Sequence, residues 1–396
     1  MTRSDGPRGV PATVWLLVAA RAINRLGAFT LPFLAVILTT EFSMSVSAVG
    51  VTMAGFGIAT IPSRLAGGWL TSRLGARATI VLGLLGCAAA QLGIAAAPSV
   101  PAVVVAVVVL GLSFEVYEPP SQAVIADVVA PNQRTAAYGL LGAALAGAGM
   151  LAGLLAAVLT TLDLRWLFVT DAATCLLCAL VVRLVLPTQP RPPGAADSAC
   201  SSPWRDRRLV RMFAVGTGFA VVYLQSTIAL PLTLLDRDLP PSTLGLLLST
   251  SAATMVLGQP LLRTRLVRDA PAASVLVSGY AVLGVGLAAY GFTTSAPGFV
   301  VATVVAALGD LLLLGRSLAY VADLAPDSAR ARYLAVYGLS WGLAAVIAPL
   351  AGAALMTGLG PAWTWTLLGC VCLALAAVQP RVTGSSKQGA TPTLAG

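Results

Sequence analysis

Charged and polar side chains recur at helical spacing inside an early apolar run of this sequence. Arg21, Asn24 and Arg25 stand at i, i+3 and i+4, so a helix would place all three on one face. A charge at the centre of an apolar bilayer costs roughly 3 kcal/mol or more. Ionisable groups in such a run are therefore candidates for function.

Two carboxylates occupy one face of a later apolar run. Glu115 and Glu118 stand at i and i+3, and Gln122 follows at i+7. Two carboxylates one turn apart need basic neighbours, and two arginines one turn apart need acidic ones. We therefore expect Arg21 and Arg25 to pair with Glu115 and Glu118. Fixed structural ion pairs are the alternative to a functional role.

A single carboxylate, Asp310, lies in an apolar run of the second half of the chain. Ser317 shares its face, and Arg316 lies near the end of the same run. No comparably central basic residue accompanies Asp310 in that half. Because burial lets protonation of a carboxylate alternate with ligand binding, Asp310, together with Glu115 and Glu118, is a candidate proton-coupling group. A structural role is the alternative.

The composition is that of an integral membrane protein. Of 396 residues, 58% are hydrophobic and 10% are charged, against roughly 25% charged residues in soluble domains. Mean hydropathy is +0.89. At roughly 20 residues per crossing, the length accommodates about twelve transmembrane helices. The chain has no histidine, which excludes His-based hydrolysis and the usual metal sites. We expect no enzyme activity, no metal and no cofactor.

Apolar runs divide the chain into two sets of six helices. We predict a bundle over 1–186, a linker rich in Pro, Ser, Ala and Arg over 187–210, a second bundle over 211–380 and a tail over 381–396. The predicted helices are 12–39, 48–71, 78–98, 101–126, 136–161, 165–186, 211–235, 242–262, 271–292, 297–322, 333–357 and 362–379.

The net charge of +9 has a topological explanation. Most of the 24 Lys and Arg residues fall in segments that share one side of the predicted membrane with both termini and the linker. This bias marks the cytoplasmic side. We therefore expect cytoplasmic termini, and the basic charge is no argument for nucleic-acid binding.

Short segments repeat between the two halves. The segments 126–134 and 322–330 both begin with Ala-Asp and end with Arg, and each follows the fourth helix of its half. Gly68 and Arg73 recur as Gly258 and Arg263 with the same spacing. These matches favour a duplicated unit related by an axis along the membrane normal.

The segment 68–77, Gly-Trp-Leu-Thr-Ser-Arg-Leu-Gly-Ala-Arg, resembles the loop signature of the major facilitator superfamily, Gly-x-Leu-x-Asp-Arg-x-Gly-Arg-Arg/Lys. Ser72 replaces the usual Asp. The segment from Glu115 to Arg134 is similar to bacterial twelve-helix drug:proton antiporters of that superfamily. The resemblance implies an all-α membrane protein in which two six-helix bundles are related by a pseudo-two-fold axis.

In that family, helices 1, 4, 7 and 10 line a central cavity, and the loop after helix 2 forms part of a cytoplasmic gate. The resemblance therefore implies two groups of residues. The cavity residues are Arg21, Asn24, Arg25, Tyr117, Gln122, Phe219, Tyr223, Gln225 and Arg316, and the gate residues are Gly68, Ser72, Arg73, Gly75, Arg77 and Asp127. Aromatic and Gln side chains also serve as packing groups, and Arg73 and Arg77 could serve only to orient the chain. Asp171, on a helix that is peripheral in the family, is expected to be structural.

The resemblance implies proton-coupled efflux of an amphipathic small molecule, such as a drug or antibiotic, by alternating access. An importer of a small nutrient is the first alternative, and a receptor or sensor on a transporter scaffold is the second. The expected partners are the substrate, protons and the lipid bilayer of a bacterial cell membrane. The proton gradient replaces a cofactor, and the transport unit is expected to be a monomer.

Overall fold

The computed structural model describes residues 11–27, 30–159, 163–186, 202–239 and 242–383. Within those ranges the chain forms helices and no β-strand. In chain order the helices are α1 (Ala12–Leu26), α2 (Thr30–Thr40), α3 (Val46–Leu74), α4 (Ala76–Ala95), α5 (Val100–Phe114), α6 (Glu118–Val128), α7 (Arg134–Leu159), α8 (Arg165–Val185), α9 (Arg207–Asp236), α10 (Ser242–Leu257), α11 (Gln259–Arg263), α12 (Arg265–Arg268), α13 (Ala272–Phe292), α14 (Ala296–Leu324) and α15 (Arg330–Thr383).

Ten helical stretches of these ranges are long and apolar enough to cross a membrane. Large apolar side chains are exposed on their outward faces: Val51 is 74% exposed and Leu257 is 78% exposed. Helices satisfy their own backbone hydrogen bonds, so apolar faces of this kind suit a lipid surround.

Two large hydrophobic cores organise the bundle. The first core is built from residues between Val14 and Leu186, with Ala319 and Ala322 added from α14. The second core is built from residues between Leu209 and Val382, with Ala123 added from α6. Between them, α3 packs on α15, and α7 packs on α10 and α14.

Several predicted helices are interrupted, most informatively between α5 and α6. Helix α5 ends at Phe114, and α6 restarts at Glu118 with Pro119 and Pro120 in its first turn. Proline lacks a backbone N–H and its ring clashes with the preceding turn, so a continuous helix is disfavoured. Glu115 and Glu118 consequently flank a break in the helix.

The predicted boundaries need five corrections. The single helices predicted over 12–39 and 101–126 are each divided, and the one predicted over 242–262 is interrupted at Gly258. Helix α9 begins at Arg207, inside the predicted linker, and α15 continues to Thr383, inside the predicted tail. Residues 187–201 of the predicted linker and 384–396 of the predicted tail lie outside the described residues.

The long helix α15 contains a turn at Gly360, where φ is 75°. With ψ at 171°, this conformation is essentially restricted to glycine and costs a residue with a Cβ about 1–3 kcal/mol. The two predicted helices 333–357 and 362–379 lie on either side of it.

We predict that Gly360→Ala lowers the unfolding temperature of the purified protein in detergent. The reason is that a residue with a Cβ is strained at this positive φ, even without any steric overlap with other residues. A Cβ at Gly360 would meet no other atom within 4 Å. Gly358→Ala is the matched control, since Gly358 is helical and its Cβ would be equally free. Equal unfolding temperatures for the two variants would contradict this account.

Candidate functional site

Arg21 of α1 meets the broken region between α5 and α6. Its guanidinium pairs with the carboxylate of Glu118 and lies over the ring of Tyr117, 4.5 Å from the ring centroid. Gln122, one turn further along α6, donates its side-chain amide to the other oxygen of Glu118 at 2.8 Å. Arg21 is buried. The expected pairing of the α1 arginines with Glu118 is therefore present for Arg21.

Glu115 pairs with Arg64 of α3, not with Arg25. The Nη1 of Arg64 donates to Glu115 Oε2 at 2.6 Å, and the backbone N–H of Glu115 donates to Ser63 Oγ at 3.0 Å. The guanidinium of Arg64 also lies against Gly338 of α15, where a Cβ would overlap it. A glycine at this position is what allows Arg64 to reach Glu115.

A polar cavity of about 420 Å³ surrounds these pairs. Its wall includes Arg21, Asn24, Arg25, Glu115, Tyr117 and Glu118 from the predicted set. It also includes Asp171 of α8 and Gln91 of α4, and the amide of Gln91 donates to the carboxylate of Asp171. Asp171 therefore lines the polar cavity, and its expected structural role stays a prediction.

A larger and more apolar cavity of about 630 Å³ adjoins the polar one. Arg25, Tyr223 and Met255 line both cavities. Of the described residues that line the larger cavity, Arg25 and Asp310 carry the charges. One carboxylate oxygen of Asp310 is buried with no hydrogen-bond partner.

Arg25 and Asp310 approach the apolar cavity from different parts of the chain. Arg25 lies at the end of α1, and Asp310 lies near the middle of α14. Neither has an ion-pair partner among the described residues, whereas Arg21, Arg64, Glu115 and Glu118 are all paired. Among the described residues that line the apolar cavity, one cation and one anion thus have no ion pair.

Four residues predicted for the cavity line neither the polar nor the apolar one. Gln225 donates its side-chain amide to the carbonyl of Ala348 at 3.0 Å and is fully buried. Arg316 donates to the carbonyl of Ala270 and to Thr135 Oγ1. Gln122 acts through Glu118, as described above. Periodicity predicted their helices correctly, but not which of their faces met other helices.

The fourth of these residues, Phe219, belongs to an aromatic cluster beside the cavities. Its ring packs edge-to-face on Tyr280 and Trp341, and Trp341 packs on Tyr223 with a centroid distance of 5.1 Å. Tyr223 and Trp341 line the polar cavity, while Phe219 lies behind them. Phe219 therefore supports the wall without forming its surface.

Two ion pairs cross between the repeated segments 126–134 and 322–330. Arg134 pairs with Asp323, and Arg330 pairs with Asp127. Each arginine also donates to the carbonyl of the residue that precedes the Asp of its own segment: Arg134 to Ala126 and Arg330 to Ala322. We call these two the crossed ion pairs. They tie α6 and α7 to α14 and α15.

The loop signature residues serve local contacts near the same end of the bundle. Gly68 allows close packing, since a Cβ there would lie 3.1 Å from the backbone of α15. Gly75, with φ of 81°, turns the chain between α3 and α4. Ser72 donates to the carbonyl of Trp69 at 2.7 Å, and Arg73 lies over the Trp69 ring.

The remaining two gate candidates contact other helices. Arg77 donates to the carbonyl of Arg183 on α8. Asp127, the acidic gate candidate, pairs with Arg330. The acid of this segment therefore bridges two parts of the chain.

The described residues contain no group of three or more Cys, Asp or Glu side chains arranged to hold a metal ion. The sequence is matched by a family model described as Major Facilitator Superfamily, over residues 17–240 and 215–389.

The chain belongs to the major facilitator superfamily. It is 27% identical over 339 residues to the uncharacterized MFS-type transporter YhjO of Bacillus subtilis (strain 168), with 84% of each chain covered. It is 23% identical over 312 residues to the multidrug resistance protein MdtH of Aeromonas salmonicida (strain A449), with 77% of this chain and 78% of that protein covered.

The fold also resembles a solved member of the superfamily. The crystal structure of the human organic anion transporter MFSD10 (TETRAN) superposes with a TM-score of 0.74 at 17% identity, covering 93% of this chain and 98% of that one. These comparisons identify a multi-pass membrane transporter of the major facilitator superfamily, a group of transporters and not of enzymes.

Sequence reasoning missed several residues that the structure brings to the site. Arg64 is isolated in its apolar run, so only its partner in space reveals its role. The repeated segments contain Asp323, Arg134 and Arg330. The repeat did not lead to the prediction that each arginine pairs with the acid of the other segment. Trp341 has no distinctive pattern in the sequence.

We predict that Arg64→Gln destabilises the protein in detergent by about 3 kcal/mol, the lower end of the cost of breaking a buried ion pair. Glu115 would be left without its cation, although it is a quarter exposed. Arg25→Gln is the matched control and should cost little, because Arg25 has no ion pair to lose. The measurement is the unfolding midpoint in denaturant. A larger effect for Arg25→Gln would contradict the pairing.

Proposed function

We propose that this protein is a proton-coupled secondary transporter that exports amphipathic small molecules by alternating access. The observation that carries the proposal is Asp310, an unpaired carboxylate on the wall of a large cavity between two helical cores.

The proposed architecture has twelve crossings in two six-helix bundles. Ten spans meet length and composition criteria, and α7 and the pair α1 and α2 would supply the other two. The two cores support a division near the linker, and the crossed ion pairs support a pseudo-two-fold relation, because each pair maps onto the other under the repeat.

The proposed orientation places the crossed ion pairs at the cytoplasmic side of a bacterial cell membrane, with both termini on that side. The apolar cavity is lined by the later part of α9 and the earlier part of α10, which lie toward the opposite side. In this orientation the structure is closed at the cytoplasmic side, as an outward-facing transporter would be.

The proposed proton carrier is Asp310. Glu115 and Glu118 already have arginine partners, so their charges are balanced by fixed groups. A buried charge without a partner is costly. Asp310 can meet that cost by taking up a proton in one state and a cationic ligand in another, which is the exchange that an antiporter requires.

The proposed substrate class follows from the walls of the larger cavity. Leucine, valine and alanine side chains surround its two charges, and its volume falls in the range of small-molecule sites. Export is supported by the similarity to the multidrug resistance protein MdtH of Aeromonas salmonicida.

We predict that Asp310→Asn abolishes substrate-dependent proton movement in proteoliposomes, because the amide cannot exchange a proton. The screen uses cationic, neutral and zwitterionic amphiphiles with a pH-sensitive dye inside the vesicles. Asp236→Asn, an acid at the exposed end of α9, is the control and should retain the flux.

Proton influx coupled to compound efflux is the expected result for the wild-type protein. Movement of both in the same direction would instead identify an importer. Saturable binding with no flux of any compound would contradict transport, and unaltered flux in Asp310→Asn would remove that residue from the mechanism.

We predict that Asp127→Ala increases opening at the cytoplasmic side, because it removes one of the two crossed ion pairs. Asp327→Ala is the matched control: Asp327 also accepts from Arg330, at 2.6 Å, but it lies three residues earlier in the same segment and bridges nothing. Opening is measured as the rate of maleimide labelling of Ala319→Cys in a variant with the native cysteines replaced.

Ala319 is fully buried and belongs to the first core although it lies on α14, so separation of the two cores should expose it. Faster labelling in Asp127→Ala than in Asp327→Ala is the expected result. Equal rates would show that the crossed ion pairs do not hold this side closed.

A further inference from the structure

The charges around the two cavities can be sorted by whether the chain itself balances them. Arg21 is balanced by Glu118, and Arg64 is balanced by Glu115. Arg25 has no ion pair and is exposed to the cavity space, and a carboxylate oxygen of Asp310 is buried without a hydrogen-bond partner. Of the charged side chains that line the apolar cavity, one positive and one negative are thus left for a ligand.

These two charges line the same cavity and come from different helical cores. Arg25 extends from α1 past Gly149 of α7, where a Cβ would lie 3.6 Å from its Nε. Asp310 faces the cavity from α14, in the region of Tyr290 and Thr303, whose hydroxyl groups bond each other at 2.8 Å. Each of these two hydroxyl groups thus has a hydrogen-bond partner within the protein.

The remaining wall of the cavity is mostly apolar. Val222 and Leu230 of α9, Leu247 of α10, and Leu283 and Leu287 of α13 belong to it. Such a wall favours a hydrocarbon or aromatic body and disfavours further charges. The charge requirement of a ligand is therefore confined to two places.

We propose that the apolar cavity binds a zwitterionic amphiphile, with its anionic group at Arg25, its cationic group at Asp310 and its apolar body against the wall formed by α9, α10 and α13. This substrate class rests on the proposed transport function. A purely cationic ligand leaves Arg25 without a partner, and a purely anionic one leaves Asp310 without a partner. A site that holds two opposite charges rejects ligands that lack either one, because a charged group then stays unpaired.

The proposal also assigns the ligand a structural effect. Arg25 belongs to the helices of the first core, and Asp310 belongs to those of the second. A ligand that engages both charges bridges the two cores, whereas a singly charged ligand engages one. Binding of the zwitterion therefore favours closure of the two cores around it.

The test is calorimetric binding to the purified protein in lipid nanodiscs, with ligands matched in chain length. The probes are ω-aminooctanoate, octylamine, octanoate and octanol, with ω-aminohexanoate and ω-aminododecanoate added to vary the separation of the two charges. At its best length the zwitterion is expected to bind about tenfold or more tightly than the singly charged and neutral probes.

Two substitutions dissect the preference. Arg25→Gln should abolish the advantage of the zwitterion over the amine and retain its advantage over the carboxylate, and Asp310→Asn should do the reverse. Arg25→Lys should retain the wild-type order, because it keeps the positive charge. Asp236→Asn, remote from the cavity, should also retain it.

The proposal is overturned if no zwitterion binds, if a singly charged or neutral probe binds as tightly at every chain length, or if both substitutions weaken all probes alike. These outcomes are distinct from a failure of the proposed function. Absence of coupled flux with an intact zwitterion preference would reject transport and leave the binding site standing.

Discussion

An unpaired charge is expensive inside an apolar helical bundle, and this constraint organises the centre of the molecule. The chain meets it by bringing together residues that are distant in sequence: Arg21 with Glu118, and Arg64 with Glu115. Each pair joins two helices, so the pairs also fix the relative positions of α1, α3 and the break between α5 and α6. Arg25 and Asp310 differ from these residues, because neither has an ion-pair partner among the described residues.

The pairing depends on local features that interrupt regular helix geometry. Pro119 and Pro120 prevent α5 and α6 from forming one continuous helix. The turn that separates the two helices contains Glu115. Gly338 leaves the space that the Arg64 guanidinium occupies. A proline and a glycine in apolar helices thus have a definite use here, because they allow charged side chains to reach each other at membrane depth.

The acids of the crossed ion pairs are partly exposed to solvent. Asp323 is 40% exposed and Asp127 is 29% exposed at the side-chain level, whereas their arginine partners are nearly buried. Partly exposed ion pairs contribute less free energy than buried ones, because water can replace either partner. Each of the two cores is held together by apolar packing, and water cannot replace apolar contacts. A junction made of replaceable contacts between two stable cores is suited to open and close.

The sequence by itself determined the class of protein, most of the helices and the residues that could carry charge into the bundle. Composition and periodicity are enough for this, because each helix must present apolar side chains to its surroundings along its own length. The resemblance of the segment 68–77 to a loop signature supplied the family, which the family model confirmed.

Only the tertiary structure decided which charges meet. Two helical faces with opposite charges admit several pairings, and the choice of Arg64 over Arg25 for Glu115 depends on the space at Gly338 and on the turn after Phe114. The same holds for Asp127, whose partner lies in the other repeat, and for Gln225 and Arg316, which bond to other parts of the chain away from the cavities. Periodicity records which residues share a face, but not which neighbouring helix that face contacts, because the contact depends on packing between segments far apart in the chain.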